Sequence, residues 1–595
     1  MSHLTLRTAE GMTGPQGGVV TRRPRMWGIL VLLIVLISGA VACSRAAGNG
    51  ADLGGRAQPA AKYDINPTAR DRLQDGGTLK WPLLHIPANF NFHELNSTAS
   101  TRDIMLALMP QAFLFDASGA PYINTELLES AHITATDPKQ IVTYTINPNA
   151  TWHDGTPVTE ADFKAQWRAL RGADPAYRVA STSGYDQIEN VTEGKGDREV
   201  IVTFMKRYAD WQALFSPLYP ASTNSDPKTF NEGWLKKPLT TAGPFKFDHL
   251  DRTAKTITLV RNEKWWGSPA KLEKIIYRVI PSDAQIDSLA NGEIDFVDVG
   301  ADINRLQRAL SAPGIAIRKA GGLSFTHLTI NGGSDVLKDV RVRRALAMGI
   351  DRATIAKAMV GPFGVSTAPL NNHIFMANQR GYQDNSGEVG THDPGKARVL
   401  LDEAGWTLQS GVRKKDGRQL AVRLVIPTQT AVAKEIAELI QGMLKSIDVT
   451  VTITPVPTTD FFDKYIIPGN FDLTLFAWLG TPFPINSAKP IYTTPKGGPN
   501  GQLDLQQNYA RIGSRELDWL FDQAATQLDP AKMIQMGNQI DSIIWQEVHS
   551  LTFYQRPDIV ASRSNLANFG AFGFASTIYE DIGFTNAKSY GERDQ

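Results

Sequence analysis

Few residues of this chain combine the types and the spacing that chemistry on a substrate requires. Ser268 and Lys271 have the Ser-x-x-Lys spacing of a serine nucleophile beside a lysine, but the Ser-Asp-Asn and Lys-Thr-Gly segments that accompany this pattern in such enzymes are absent. A Gly-x-Ser-x-Gly elbow, a complete phosphate-binding loop and a dinucleotide fingerprint are absent as well. We therefore expect a protein without enzymatic activity and interpret Ser268 as part of a surface turn.

The histidines and arginines do not indicate a metal or anion site either. Paired histidines on one helix face would be typical of a metal site. The histidines are scattered instead, among them His85, His93, His132, His153, His327, His373 and His392. The arginines between residues 341 and 344 are interpreted as a solvated or lobe-packing helix face. We expect no metal and no cofactor.

The charge balance argues against nucleic acid as a partner. The chain has 61 Lys and Arg residues against 60 Asp and Glu residues, a formal net charge of +1. Such a chain has no global field that would attract a polyanion. Its 595 residues, 42% of them hydrophobic, exceed what a single hydrophobic core supports. We expect two or three packed units.

The N-terminal region has the three-part plan of an export signal. Arg22, Arg23 and Arg25 precede an uncharged run over 26–37, and small residues lead to Cys43, the only cysteine of the chain. The segment before Cys43 resembles a bacterial lipobox, which predicts a signal peptide over 1–42 and lipidation of Cys43. Ala40 stands where Leu is usual, so an uncleaved signal anchor remains an alternative. Residues 43–75 are predicted to be a flexible tether that holds the body at the outer face of the cytoplasmic membrane.

The rest of the sequence alternates between strand and helix patterns. Strands are predicted at 140–146, 198–204, 256–260, 275–280, 422–426, 449–453 and 471–476. Helical spacing of apolar residues predicts helices over 339–350 and 431–444. No second run after the signal is long enough to span a bilayer. The sequence therefore predicts a mixed α/β protein.

Six segments, in order along the chain, carry a family resemblance. They are residues 144–163, 241–245, 261–266, 292–295, 337–346 with 350–352, and 393–406. The first of them makes physical sense, because Asp154-Gly155 is a tight-turn pair and Thr159 with Asp162 three residues later is typical of a helix start. In this order they resemble family 5 of the solute-binding proteins of ABC importers, whose members bind oligopeptides, dipeptides or nickel. The leader, the tether and residues 565–570 are most similar to mycobacterial lipoproteins of this family.

The resemblance implies a two-lobed fold of the type II periplasmic-binding-protein class, with a hinged cleft and an extra domain inserted in the first lobe. The first lobe would comprise residues 76–110 and 240–323, and the inserted domain residues 111–239. The second lobe would run from 324 to 545, and residues 546–595 would cross back onto the first lobe. Ligands of such receptors are enclosed when the hinge closes.

The resemblance also implies where the ligand lies. In peptide-binding relatives a strand ends in an aromatic residue and continues to an Asp that pairs with the ammonium group of the peptide. Here Trp478 falls on the aromatic position, and Thr481, a neutral hydroxyl, stands where the Asp is expected. The backbone of 477–480 could bond an extended ligand in β fashion. The predicted ligand-binding residues are Phe90, Asn91, Phe92, Asn371, Ala477, Trp478, Leu479, Gly480, Thr481 and Phe483.

The resulting hypothesis is a monomeric, lipid-anchored receptor that delivers oligopeptides or peptide-like solutes to a membrane permease driven by cytoplasmic ATPases. Thr481 leaves open an amino-blocked ligand or a non-peptide ligand such as haem or a metal chelate. Two alternatives from other classes are a surface-anchored hydrolase and a sensor or adhesin that closes without transport.

Overall fold

The computed structural model describes residues 62–498 and 503–585. The predicted signal peptide, Cys43 and the first part of the predicted tether lie outside these ranges. Within them, no helix has both the length and the apolar character that a bilayer crossing requires. The fold class is confirmed as mixed α/β.

The strands and helices follow in chain order. The strands are β1 (Thr78–Leu83), β2 (Phe113–Phe115), β3 (Pro121–Ile123), β4 (Leu128–Ala135), β5 (Ile141–Ile146), β6 (Ile188–Glu193), β7 (Glu199–Phe204), β8 (Phe245–Asp251), β9 (Thr256–Arg261), β10 (Lys274–Val279), β11 (Phe296–Asp298), β12 (Ile315–Ile330), β13 (Thr407–Gln409), β14 (Val412–Lys415), β15 (Arg418–Gln419), β16 (Ala421–Pro427), β17 (Thr450–Val456), β18 (Leu473–Leu479), β19 (Lys496–Gly497), β20 (Leu503–Asp504), β21 (Ser550–Arg563), β22 (Leu566–Ala567) and β23 (Gly583–Phe584). The α-helices are α1 (Ala99–Met105), α2 (Glu160–Leu170), α3 (Ala221–Asn224), α4 (Gln285–Ala290), α5 (Ile303–Leu310), α6 (Val340–Gly349), α7 (Arg352–Val360), α8 (Pro394–Glu403), α9 (Ala431–Lys445), α10 (Pro484–Tyr492), α11 (Arg515–Ala525) and α12 (Pro530–Glu547).

The first lobe and the inserted domain are each built on a four-stranded sheet. The first-lobe sheet has the order β1-β10-β9-β8, and the sheet of the inserted domain has the order β4-β5-β7-β6. Helix α2 starts as its sequence predicts, because the Asp162 carboxylate accepts a hydrogen bond from the Thr159 N–H at 2.9 Å. One continuous cluster of buried apolar side chains joins both sheets.

A six-stranded sheet with the order β11-β21-β12-β18-β16-β17 begins in the first lobe at β11 and forms the sheet of the second lobe. Helices α6 and α9 pack against it, and both lie within two residues of their predicted ranges. Asp339 begins α6 by accepting a hydrogen bond from the N–H of Arg341. Leu328, Leu346, Ile440 and Leu475 belong to the buried apolar cluster of this lobe.

Strands β12 and β21 connect the two lobes. They are 16 and 14 residues long and pair with each other in antiparallel fashion over most of their length. Near one end Ile559 and Ala561 pack in a first-lobe cluster, and near the other Leu551 and Phe553 pack in the second-lobe core. The register shifts between Gly321 and Phe325, at the point where the strands pass from one lobe to the other. We call residues 321–325 with 555–557 the hinge.

The start of the folded region differs from its prediction. Residues 62–75 were assigned to the tether on composition, but Asp64 exchanges two backbone hydrogen bonds with Ala571, and Leu73 is buried. The Asp64 carboxylate also accepts a hydrogen bond from the N–H of Lys319 on β12 at 3.1 Å. Long-range pairing therefore orders a segment that lacks any apolar period of its own. The other domain limits stay a prediction.

The close approach of backbones at the hinge yields a stability prediction. A Cβ on Gly322 would lie 2.6 Å from the carbonyl oxygen of Arg556, so the two strands would have to separate. We expect Gly322→Ala to lower the free energy of unfolding by about 1–3 kcal/mol. The matched control is Gly442→Ala on α9, where an added Cβ meets nothing within 4 Å and should stabilise the protein by about 1 kcal/mol. Denaturant unfolding of both variants measures the difference, and equal stability of the two would contradict the tight packing of the hinge.

Candidate functional site

Strand β18 has one backbone edge that the sheet leaves open. On one side it pairs with β12 along its whole length, and the Gly480 N–H continues that ladder to the Leu323 carbonyl at 2.7 Å. On the other side it pairs with β16 only at Leu473 and Thr474. Because alternate residues of a strand direct their N–H and C=O groups to opposite edges, those of Ala477 and Leu479 point to the open side. Within the described part of the chain, no strand covers this edge beyond Thr474.

The aromatic residue predicted at the site is largely enclosed. Trp478 is only 7% exposed, and its ring lies parallel to the rings of Tyr509 and His327, with centroids 6.0 and 5.9 Å away. Phe476 contacts Trp478 edge-on at 5.1 Å. Burial, followed by the charges of His373 and Arg556, lowers the pKa of His327 to about 3, so this ring is neutral. The cluster forms a rigid apolar support on one face of β18.

The residues after Trp478 lead out of the sheet toward the inserted domain. Leu479 is 48% exposed, and the Thr481 carbonyl accepts a hydrogen bond from the side-chain amide of Gln379 at 2.8 Å. The Thr481 hydroxyl lies 2.7 Å from the Ser487 hydroxyl, so its nearest partner is a neutral group. Phe483 contacts Phe115 of the inserted domain edge-on, with centroids 5.6 Å apart. Residues 477–483 thus form a continuous segment next to the interface between the lobes.

Phe90 and Asn91 lie elsewhere. Both are fully buried in the first-lobe core. The Asn91 side chain donates to the Phe230 carbonyl at 2.9 Å and accepts from the His93 N–H at 3.0 Å, while Phe92 is half-buried and its N–H donates to the Tyr219 hydroxyl at 2.9 Å. The Asn91 side chain thus joins the first lobe to the inserted domain, and a place for Phe90 and Asn91 in the ligand-binding cleft stays a prediction.

Asn371 belongs to a polar network inside the second lobe. Its side-chain nitrogen donates to Asp384 at 2.7 Å, and its N–H donates to the Tyr382 hydroxyl. The same network contains the fully buried pair of His373 and Asp541, whose Nδ1 and Oδ1 atoms are 2.8 Å apart. The contacts of Asn371 do not connect it with β18.

The inserted domain and the second lobe touch each other. The Asp210 carboxylate, in a residue only 5% exposed, accepts a hydrogen bond from the Asn486 side chain of α10 at 2.5 Å. The Ala209 N–H donates to the Ala525 carbonyl at the end of α11, at 2.9 Å. Burial raises the pKa of Asp210 from 3.8 to about 6, opposed only by the Asn486 hydrogen bond. These contacts place a carboxyl group between the inserted domain and the second lobe.

Sequence reasoning missed the charged residues at the hinge. Asp298 lies opposite Val560 in the ladder, so Asp558, two residues along on the same face, is its diagonal neighbour. Burial, followed by the charge of Asp298, raises the pKa of Asp558 to about 7. Arg556 donates from Nε to the Thr326 hydroxyl at 3.0 Å. The polar run from Gln555 to Asp558 inside an otherwise apolar strand was the available signal.

Two further features of the described residues concern ligands. They contain no group of three or more His, Cys, Asp or Glu side chains placed to hold a metal ion. A depression between α4 and α5, lined by Ile286, Asp287 and Arg308 among others, lies in the first lobe away from β18. Asp287 and Arg308 form an exposed ion pair across it. We do not associate this depression with the site.

Comparison with known proteins agrees with this geometry. The sequence profile described as bacterial extracellular solute-binding proteins, family 5 middle, matches residues 123–499, more than half of the chain. The oligopeptide-binding protein OppA of Mycobacterium tuberculosis H37Rv is 39% identical over 572 residues, which cover 94% of each chain. The periplasmic EDTA-binding protein EppA superposes with a TM-score of 0.76 at 25% identity, over 89% of this chain and all of that one.

A second solved structure shares the fold at lower identity. The oligopeptide-binding protein AppA of Bacillus subtilis, in complex with a nonapeptide, superposes with a TM-score of 0.63 at 22% identity, over 86% of this chain and all of AppA. The two-lobed type II fold expected from the sequence is confirmed by these likenesses. The chain therefore belongs to family 5 of the bacterial extracellular solute-binding proteins.

Proposed function

We propose that this protein is the substrate-binding lipoprotein of an ABC importer, anchored through Cys43 to the outer face of the cytoplasmic membrane. It captures an oligopeptide or a peptide-like solute between its lobes and delivers it, as a monomer, to a membrane permease driven by cytoplasmic ATPases. No chemistry on the ligand is involved. The likeness to OppA over nearly the whole chain supports a peptide as the ligand.

The observation that carries this proposal is the open edge of β18. A ligand in extended conformation can add to the sheet there, exchanging hydrogen bonds with the backbone of Ala477 and Leu479. Backbone contacts are the same for every peptide sequence, so the edge supplies affinity without selecting side chains. The proposed ligand-binding residues are 477–481 and Phe483, with Trp478 as the rigid support behind the edge.

Thr481 limits how the ligand's amino end is held. A hydroxyl can accept a hydrogen bond from an ammonium group but cannot form the charge-assisted contact that a carboxylate provides. Its hydroxyl already lies 2.7 Å from Ser487. The ligand's amino end is therefore either blocked or paired with a carboxylate elsewhere in the cleft.

Closure of the lobes is the second half of the mechanism. The buried contact between Asp210 and Asn486, the Phe115–Phe483 ring contact and the hydrogen bond from Ala209 to Ala525 exist only while the lobes are together. A ligand that bridges the lobes favours this state and shifts the equilibrium toward it. The permease would then distinguish the loaded receptor by its shape.

A metal chelate is the second candidate ligand. It is favoured by the neutral Thr481 and by the likeness to EppA, which is described as binding EDTA. Such a ligand would carry its own metal, so the protein would need no metal-ligand cluster.

The peptide proposal predicts a specific effect of proline on the edge. The Ala477 N–H faces away from β12, so Ala477→Pro should leave the sheet intact and remove only the donor offered to the ligand. We expect the affinity for a nonapeptide, measured by calorimetry, to fall at least about tenfold. Ala477→Ser keeps the N–H and should bind as the parent does. Equal affinity of all three proteins would exclude strand addition at this edge.

The buried Asp210 predicts pH-dependent closure. Its pKa of about 6 in the closed state exceeds the ordinary value of 3.8, so the closed state binds a proton more readily. Lowering the pH from 7 to 5 should therefore raise the closing constant about tenfold, and the gain is lost as the pH rises through 6. The body beyond Cys43 has no cysteine, so Ala176→Cys and Glu435→Cys, both at exposed positions, allow the distance between the inserted domain and the second lobe to be followed by fluorescence transfer without ligand.

Asp210→Asn in the same labelled background is the matched control. It keeps an acceptor for Asn486 but cannot titrate, so the closing equilibrium should lose the part of its pH dependence that Asp210 causes. Because other acids such as Asp558 titrate in this range, only the difference between the two profiles counts. Superimposable profiles would show that Asp210 does not control closure.

The chelate candidate is separated from the peptide by what the protein carries on purification. Native mass spectrometry of residues 44–595, followed by denaturing release, should yield peptides if the first proposal is right. A Soret band, or a metal released in equal amount with a small organic acid, would decide for the chelate or haem.

A further inference from the structure

The sheet brings two rows of side chains out of the second-lobe core and into the cleft. Directly paired residues share one face, so Tyr554, Thr326 and Ala477 form one row across β21, β12 and β18. One step further toward the hinge, Ser324 lies opposite Leu479, and Arg556 follows Tyr554 by two residues on the same face. Leu328 and Leu475 on this face are buried, whereas Leu479 is 48% exposed. The face therefore passes from core to cleft within these rows.

The Arg556 side chain is fixed on this face. Its Nε donates to the Thr326 hydroxyl at 3.0 Å, which draws the guanidinium group across β12. Thr326 is paired with Ala477, so the guanidinium group lies within about one strand spacing, roughly 4.8 Å, of the strand whose edge is open. A long and flexible cation is thus held next to the proposed ligand path.

Arg556 lacks the acceptors that satisfy other enclosed arginines, which are either a carboxylate or several backbone carbonyls. Arg413 pairs with Asp402 at 2.6 Å, and Arg343 lies 3.4 Å from Glu547. The fully enclosed Arg352 donates to three backbone carbonyls instead. For Arg556, among residues 62–498 and 503–585, no carboxylate oxygen lies within 4.0 Å of a guanidinium nitrogen.

The nearest acid along the strand does not neutralise it. Asp558 lies on the first-lobe side of the register shift, where the Gly573 N–H donates to its carboxylate, and Arg556 lies within the shift, between Gln555 and Pro557. The Arg556 residue is half-buried and has no anion from the protein, so a carboxylate of the ligand would supply the missing counter-charge.

We propose that Arg556 binds a carboxylate group of the transported solute, and that Thr326 is the residue that positions it. This inference rests on the proposed capture of a solute in the cleft and specifies its chemistry: the ligand bears a carboxylate, whether that is the C-terminal group of a peptide or an acid group of a chelate. The free terminal nitrogens of the guanidinium group can bind it in a two-point contact. The carboxylate end then lies on the second-lobe face of the hinge.

The test compares two forms of one nonapeptide, with a free and with an amidated C-terminus. For the parent protein we expect tighter binding of the free acid. Arg556→Gln should weaken binding of the free acid about 10- to 100-fold and leave the amide nearly unchanged. Thr326→Val keeps the arginine but not its anchor, so the loss should be smaller and again confined to the free acid. Arg252→Gln, which removes an equal charge from the exposed turn between β8 and β9, should change neither affinity.

Each outcome decides the assignment. Equal losses for acid and amide in Arg556→Gln would show a structural role, and no loss would remove Arg556 from the site; both overturn the proposal. If the parent protein binds neither peptide, the proposed peptide function is contradicted. The carboxylate site is then tested separately, by measuring thermal unfolding in the presence of citrate or Fe(III)-EDTA. A rise in Tm for the parent and the Arg252→Gln control but not for Arg556→Gln supports the site. No rise for the parent, or the same rise in all three, overturns it.

Discussion

The pairing of β12 with β21 is the interaction on which the rest of the molecule depends. This ladder connects the two lobes, because β12 and β21 each contribute side chains to the core of the first lobe and to the core of the second. A ladder of backbone hydrogen bonds resists bending, so any rotation must be taken up where the ladder is interrupted. That place is the register shift between Gly321 and Phe325. Side chains satisfy the freed backbone groups there: Gln555 donates to the Gly322 carbonyl at 2.6 Å and Asn378 to the Gly321 carbonyl at 3.1 Å.

The open edge of β18 is a consequence of the same sheet. Strand β12 pairs with β18 along one side, while β16 pairs with only its first two residues on the other side. An uncovered edge in a soluble protein invites association with other chains. Here the segment directly after β18 lies against the inserted domain through Phe483 and Asn486, so the edge faces the space between the bodies. The feature that would be a liability on an outer surface can serve recognition inside a cleft.

Local sequence patterns predicted the strands and helices, whereas structure that depends on pairing between distant segments could not be predicted. The strand predictions at 140–146 and 275–280 and the helix predictions at 339–350 and 431–444 rest on side-chain periodicity, and each corresponds to an element of the structure. The packed segment 62–75 escaped prediction because its order comes from partners near residues 571 and 585, about 500 positions away. The family resemblance indicated Trp478, which falls on the aromatic position at the end of the strand. The sequence could not show that the Asn91 side chain donates a hydrogen bond to the Phe230 carbonyl, or that Arg556 lies beside Thr326. Both contacts arise only when distant segments of the chain meet.

The pairing of Asp64 with Ala571 would determine how the body responds to the attachment proposed at Cys43. The chain enters the fold beside Lys319, on one of the two strands that form the hinge, rather than at the far end of either lobe. A pull transmitted through the preceding residues therefore has almost no lever arm about the hinge axis. With the anchor proposed at Cys43, tension at that point would move the body as a whole and exert little torque on the hinge, so attachment from this position would not force the lobes to open.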